Sequence, residues 1–197
     1  MMIETKDGVN TIYAKKREEW RKWLEKNHLL EKSVWLVIYH KDSKTPSINY
    51  EDAIEEAISF GWIDSKPNKR DKESYYLLFA KRKPNSNWSK ANRERAAKMI
   101  KQGLMTDAGK AMIDIAKRTG TWTALKDVQD SVVPNDLQEL FIKNKKAYDN
   151  FQAFPPSSKR IILEWILNAK RPETRRKRIE ETVTLAERNI KANHYRQ

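Results

Sequence analysis

The chain has 197 residues, with 40 Lys and Arg against 27 Asp and Glu, no cysteine and a formal net charge of +13. The missing cysteine excludes disulfides, thiolate catalysis and Cys-based zinc or iron–sulfur sites, while the charge favours an anionic partner. A content of 39% hydrophobic residues, with 7 Trp and 7 Tyr, excludes a disordered chain and is enough for a core.

The first ten residues, "MMIETKDGVN", carry no apolar leader, and no later stretch reaches the roughly 20 apolar residues that span a bilayer. The protein is therefore expected to be soluble and cytosolic. After an extended piece ending in "TIY", residues 14–28 read as a helix with Trp20, Trp23 and Leu24 on one face. "SVWLVIY" is a continuous β-rich run, expected as a strand covered on both faces. A helix follows in "YEDAIEEAIS", with Asn49 as its N-cap, Glu51 and Asp52 in its first turn and Gly61 just past its end. Its buried stripe is Ala53, Ile54, Ala57 and Ile58.

"WIDS" and "ESYYLLFA" read as two antiparallel strands joined by the polar loop 66–72. Helices over 89–102 and 106–118 follow, stopped by Gly103 and Gly120. Beyond them the pattern is helical only. Pro134 is expected at the first position of "NDLQELFIKN", and Ile161, Ile162, Trp165 and Ile166 mark a short helix. Pro172 opens another, with Ile179, Val183, Ala186 and Ile190 in its stripe. The fold class expected is α+β: a small antiparallel sheet flanked by helices over 1–120, then an all-helical module over 121–197.

The excess charge sits in two islands. Residues 66–101 hold twelve basic and three acidic residues, and "KRPETRRKR" (170–178) holds six and one. Placing Arg175, Arg176, Lys177 and Arg178 at a helix start opposes the macrodipole by about 0.3–1 kcal/mol per badly placed charge. Pairs Arg176–Glu180 and Lys177–Glu181 would recover about 0.2–0.5 kcal/mol each, and tertiary acids could do the same.

The catalytic inventory is thin and points to binding more than to catalysis. His28, His40 and His194 lie on separate segments, no metal-ligand spacing occurs, and five glycines form no phosphate loop. No metal or cofactor is expected. Asp64, Glu51, Asp52, Glu55 and Glu56 are the carboxylates available for general acid–base work, and most carboxylates on helix first turns are caps or solvated charges. In "FGWIDS", strand alternation sends Trp62 and Asp64 to one face. Asp64 is then either a polar anchor beside Arg82 or Lys90 in a cleft, or a brace for the hairpin. Trp88 is either a plug at a helix start or a base-stacking platform.

The stretches "YEDAIEEAISFGWIDS", "KRKPNSNWSKANRERAAKMI" and "FPPSSKRIILEWILNAKRPETRRKRIEETV" together resemble the bacterial YdeI/OmpD-associated, or bacteriocin-protection, family. The resemblance runs from about Trp20 to Ala186. It implies a YjbR/CyaY-like (frataxin-like) α+β first part and a helical second part. It implies no catalytic residues and no established activity, although the family name suggests bacteriocin or stress protection. Frataxin-like proteins bind iron through an acidic first helix; here that helix reads "AKKREEWRKWLEK", so iron binding does not carry over.

The resulting expectation is a non-enzymatic protein whose basic face binds an anionic partner, nucleic acid first, an acidic protein or phosphorylated ligand next. The ligand-contacting residues expected are Trp62, Asp64, Ser65, Lys81, Arg82, Lys83, Asn87, Trp88, Lys90 and Arg93. Lys170, Arg171, Arg175, Arg176, Lys177 and Arg178 form the second island. The competing expectation is an enzyme or small-molecule binder with a pocket around Trp62, Asp64, Arg82, Asn87 and Trp88.

Overall fold

The β-branched run "SVWLVIY" forms the strand around which the N-terminal half is built. In the computed structural model, which describes residues 4–194, the chain divides into two compact units between Trp122 and Thr123. The first contains β1 (Thr5–Lys6), β2 (Val9–Tyr13), α1 (Arg17–Asn27), β3 (Ser33–Tyr39), α2 (Tyr50–Ser59) and β4 (Trp62–Asp64). It continues with β5 (Asn68–Lys69), β6 (Ser74–Lys81), α3 (Lys90–Lys101) and α4 (Asp107–Thr119).

The sheet runs β1-β2-β3-β6-β4, with β5 also paired to β6. Most pairs are antiparallel, as expected, but β2 and β3 are parallel. The reason is the connection: α1 lies between these strands, and a helical crossover returns the chain in the same direction. Val34, Leu36 and Ile38 face the main core with Leu77 and Phe79, while Trp35 and Val37 pack with Tyr76 in a second cluster. Both faces of β3 are thus buried.

Helices α1 and α2 deliver Trp20, Leu24, Ile54, Ala57 and Ile58 to the main core. Trp20 is fully buried, stacks on Trp23 at 5.2 Å, and donates its indole N–H to the Ala53 carbonyl at 3.1 Å. Asn49 caps α2 by accepting from Asp52 N, as its sequence position predicts. Helix α4 crosses close to the end of α2. A Cβ on Gly109 would stand 2.4 Å from the Ser59 carbonyl oxygen, so only glycine permits that approach. Gly61, at φ +73°, turns the chain from α2 into β4.

The second unit contains α5 (Lys126–Gln129), α6 (Asn135–Lys143), α7 (Lys145–Ala153), α8 (Pro156–Leu167) and α9 (Pro172–Glu187). Leu137, Phe141, Ala147, Phe151, Ile162, Ile166 and Ala186 form its centre. Pro134 is the residue before α6 rather than its first helical residue, a one-position difference, whereas Pro172 does open α9. Helix α7 has no counterpart among the sequence expectations. Asn144 caps it through Ala147 N, and it buries only Ala147 and Phe151, a stripe too short to stand out by periodicity.

Candidate functional site

The motif residues converge where β6 ends and α3 begins. Strand β4 pairs with β6 so that Trp62 opposes Lys81 and Asp64 opposes Phe79. The pairing extends one step, Arg82 N donating to the Gly61 carbonyl at 3.0 Å. Along β6 the inward residues are Leu77 and Phe79, a parity that would bury Lys81; instead Lys81 is exposed and Arg82 is buried. The chain then turns through 83–87, with Ser86 N bonded to the Lys83 carbonyl. Ser89 starts α3 as an N-cap accepting from Asn92 N.

Trp88 fixes this turn. Its ring is 1% exposed, packs against Trp122 at 5.0 Å, and its backbone N–H reaches the Thr121 carbonyl at 3.1 Å. The Arg82 guanidinium lies over the Trp88 ring, 3.9 Å from its centroid, and Nη1 donates to the Asn87 carbonyl at 3.1 Å. The remaining donors, Nε and Nη2, are buried without a hydrogen-bond partner. Burial pushes the Arg82 pKa down to about 10, with the nearby Asp64 carboxylate opposing the shift, so the group is charged at neutral pH.

Around this arginine the polar groups are already engaged. Tyr50 donates its phenol to Asp64 Oδ2 at 3.0 Å; burial first, then the Asp64 charge, pushes the phenol up to about 12. Tyr50 therefore keeps its proton at any ordinary pH. Arg95 holds Glu51 with two parallel bonds, Nε to Oε1 at 2.7 Å and Nη2 to Oε2 at 2.8 Å. That pairing holds the Glu51 carboxyl below its ordinary range. The cluster offers a buried, incompletely bonded cation, which is the chemistry of anion recognition.

The remaining motif residues separate into a buried set and an exposed set. Trp62 is core: it is 1% exposed, meets Trp23 edge-on and donates Nε1 to the His28 carbonyl at 3.3 Å. Asp64, Asn87 and Arg93 are half-buried, Arg93 Nη1 donating to the Trp122 carbonyl at 3.0 Å. Ser65 is exposed, with its backbone N–H on the Leu78 carbonyl. Lys81, Lys83 and Lys90 are exposed; Lys81 Nζ rests on the Leu29 carbonyl and Lys90 lies 3.9 Å from Glu94.

Two expectations need correcting. Trp88 cannot serve as a stacking platform, because its ring is enclosed by Arg82 and Trp122. The first basic island is also not one cationic patch. Arg70 pairs with Glu4 and Asp71, Arg95 with Glu51, Lys98 with Glu55, and Arg82 is inside. In the second unit, Arg175 grips Asp136 through Nε at 2.6 Å and Nη2 at 2.9 Å. Arg178 donates to the Trp165 carbonyl and lies over its ring, while Lys170, Arg171, Arg176 and Lys177 are exposed. The expected Arg176–Glu180 and Lys177–Glu181 pairs are not among the ion pairs of the described residues; a tertiary acid, Asp136, takes that role for Arg175 instead.

Sequence reasoning missed the fate of Glu55 and Glu56. Both are 1% exposed rather than solvated, and Arg17, Arg21 and Lys98 bind them from α1 and α3. Two acids in the middle of a helix, opposite an i,i+4 arginine pair on the preceding helix, were the available signal. Among the described residues no group of three or more His, Asp or Glu could hold a metal ion, and no helix is long and apolar enough to cross a membrane.

Residues 12–112, just over half of the chain, match a domain of unknown function, DUF8412, and the chain belongs to that family. Residues 130–189 match the family described as bacteriocin-protection, YdeI or OmpD-associated, in agreement with the resemblance carried by the C-terminal motif. No curated protein and no solved structure matches the chain.

Proposed function

We propose that the N-terminal unit is a non-enzymatic binding module for a small anion, which it holds on Arg82 between the end of β6, the Asn87 carbonyl and the Trp88 ring. The observation that carries this reading is a charged side chain only 4% exposed with two donors unbonded. Burying an incompletely paired ion costs several kcal/mol, and more than about 90% of buried polar groups find partners. A fold that keeps Arg82 in this position therefore has a use for its open donors. The test is thermal unfolding of the intact protein with small organic acids and inorganic anions at constant ionic strength. Saturable stabilisation of the wild type that is absent from Arg82→Met supports the reading. Equal stabilisation of both proteins would refute it.

A second reading, nucleic-acid binding, is favoured by the cations left over after internal pairing. Lys66, Lys69, Lys72 and Lys83 in the first unit, and Lys170, Arg171, Arg176 and Lys177 in the second, are exposed and in no ion pair among the described residues. Such cations would contact phosphates without reading bases, and binding would fall with salt at a log–log slope of about −0.9 per duplex phosphate. Charge reversal at Lys66, Lys69, Lys72 and Lys83 should lower that slope by several; an unchanged slope turns these residues into solvated surface or a docking face for an acidic protein. The YjbR/CyaY-like kinship of the first unit belongs to the same proposal, supported by α1 and α2 lying on one face of the sheet. The C-terminal family's description supplies a setting, protection against bacteriocins, in which a binding protein is a reasonable actor.

A further inference from the structure

The edge of Arg82 that stays open narrows the class of anion, an inference that rests on the small-anion reading above. A guanidinium has distinct edges, and the one formed by Nε and Nη2 accepts the two oxygens of a carboxylate side by side. This molecule uses that edge twice: Arg95 holds Glu51 by it at 2.7 and 2.8 Å, and Arg175 holds Asp136 by it at 2.6 and 2.9 Å. Arg82 gives Nη1 to the Asn87 carbonyl and one face of its planar guanidinium to the Trp88 ring. What it leaves unbonded is Nε and Nη2, the same edge. We propose that Arg82 binds the carboxylate of a small monovalent organic acid side-on, in the two-pronged geometry seen at Arg95 and Arg175.

Charge argues for a single negative group. Asp64 acts on Arg82 electrostatically without a hydrogen bond between them, its Oδ2 being taken by Tyr50. A second negative charge on the ligand would therefore be set against Asp64. Arg95, which could have balanced it, is committed to Glu51. Size argues the same way. Both open donors are shut off from solvent, so only a small ligand that displaces the groups covering the fork reaches them.

The experiment uses the full chain, titrated separately with sodium acetate, sodium phosphate and sodium chloride at matched ionic strength. The Arg82 Nε–Hε resonance is followed by NMR, assigned by its loss in Arg82→Lys, and Tm is measured in parallel. Acetate is expected to shift the resonance saturably and raise Tm, with phosphate at least about tenfold weaker, the equivalent of one charge-assisted hydrogen bond. Chloride should give no saturable shift. Arg82→Lys, which keeps the charge and loses the fork, should lose the acetate response; should that variant fail to fold, the wild-type Tm titrations, which need no assignment, still decide. Phosphate binding as tightly as acetate overturns the carboxylate assignment and leaves the small-anion reading intact. No saturable response to any of the three overturns both.

Discussion

Replacing Arg82 by methionine tests whether this side chain is kept for the fold or for a ligand. In the folded protein burial lowers the Arg82 pKa well below the ordinary guanidinium value, to about 10. At 1.36 kcal/mol per pKa unit the charged form is thus about 3 kcal/mol less comfortable in the fold than in water. Methionine fills a similar volume, carries no charge and keeps contact with the Trp88 ring. Against that gain, the Asn87 carbonyl loses its donor, which costs about 1–2 kcal/mol. The net expectation for Arg82→Met in low-salt Tris is a protein as stable as the wild type or more stable by about 1–2 kcal/mol, a Tm rise of a few degrees for a unit of this size. Urea unfolding followed by tryptophan fluorescence measures it directly, since Trp88 and Trp122 report on this site. Destabilisation by more than about 2 kcal/mol would show that Nε and Nη2 are satisfied without a ligand and that Arg82 is a structural brace.

The remaining expectations follow from packing and pairing elsewhere. Gly109→Ala sets a Cβ 2.4 Å from both the Ser59 carbonyl oxygen and Met105 Sδ, and should cost about 2–3 kcal/mol in denaturant unfolding. Glu56→Gln removes the acid that Arg17 and Arg21 share; because Arg17 keeps Asp52 and Glu55, and Arg21 keeps Glu25, the loss in denaturant unfolding should be only about 1–2 kcal/mol. Arg175 holds the Asp136 carboxyl below its ordinary range, so the pair contributes stability above the unfolded carboxylate pKa and loses it as pH falls through the lower folded value. Asp136→Asn should therefore flatten the acid limb of the stability curve, and an unchanged acid limb would refute the coupling. Limited proteolysis should cut first between Asp130 and Pro134, where Ser131 has positive φ and Val132 is half exposed; first cuts within α1 or α2 would show that the two units are not the folding units.

Local signals made most of the elements legible. Asn49, Ser89 and Thr106 cap helices through side-chain bonds reaching three residues ahead, and Gly120 ends α4 in the left-handed conformation. Such marks are written into neighbouring residues, and a reader of the sequence can find them. The parallel pairing of β2 with β3 is not local; it follows from where α1 returns the chain. Helix α7 was invisible because two buried residues do not make a period.

The run Lys81-Arg82-Lys83 shows why the site was only half legible. On paper these are three equal cations, and their sum suggests a polyanion grip. In the fold the burial parity of β6 slips by one residue at its end, so the middle cation alone turns inward. What receives it is a tryptophan six positions later, itself held by Trp122 from beyond α4. Both contacts are tertiary, and neither leaves a trace in the spacing of charges. Counting charge along the chain therefore overstated the outer surface, since Arg70, Arg95 and Lys98 are answered by Glu4, Glu51 and Glu55. The same counting concealed the one cation of the run that the fold buries, with two of its donors left unbonded. A basic run that interleaves with tryptophan is thus better read for the single charge an aromatic ring could draw inward than for the total it presents to solvent.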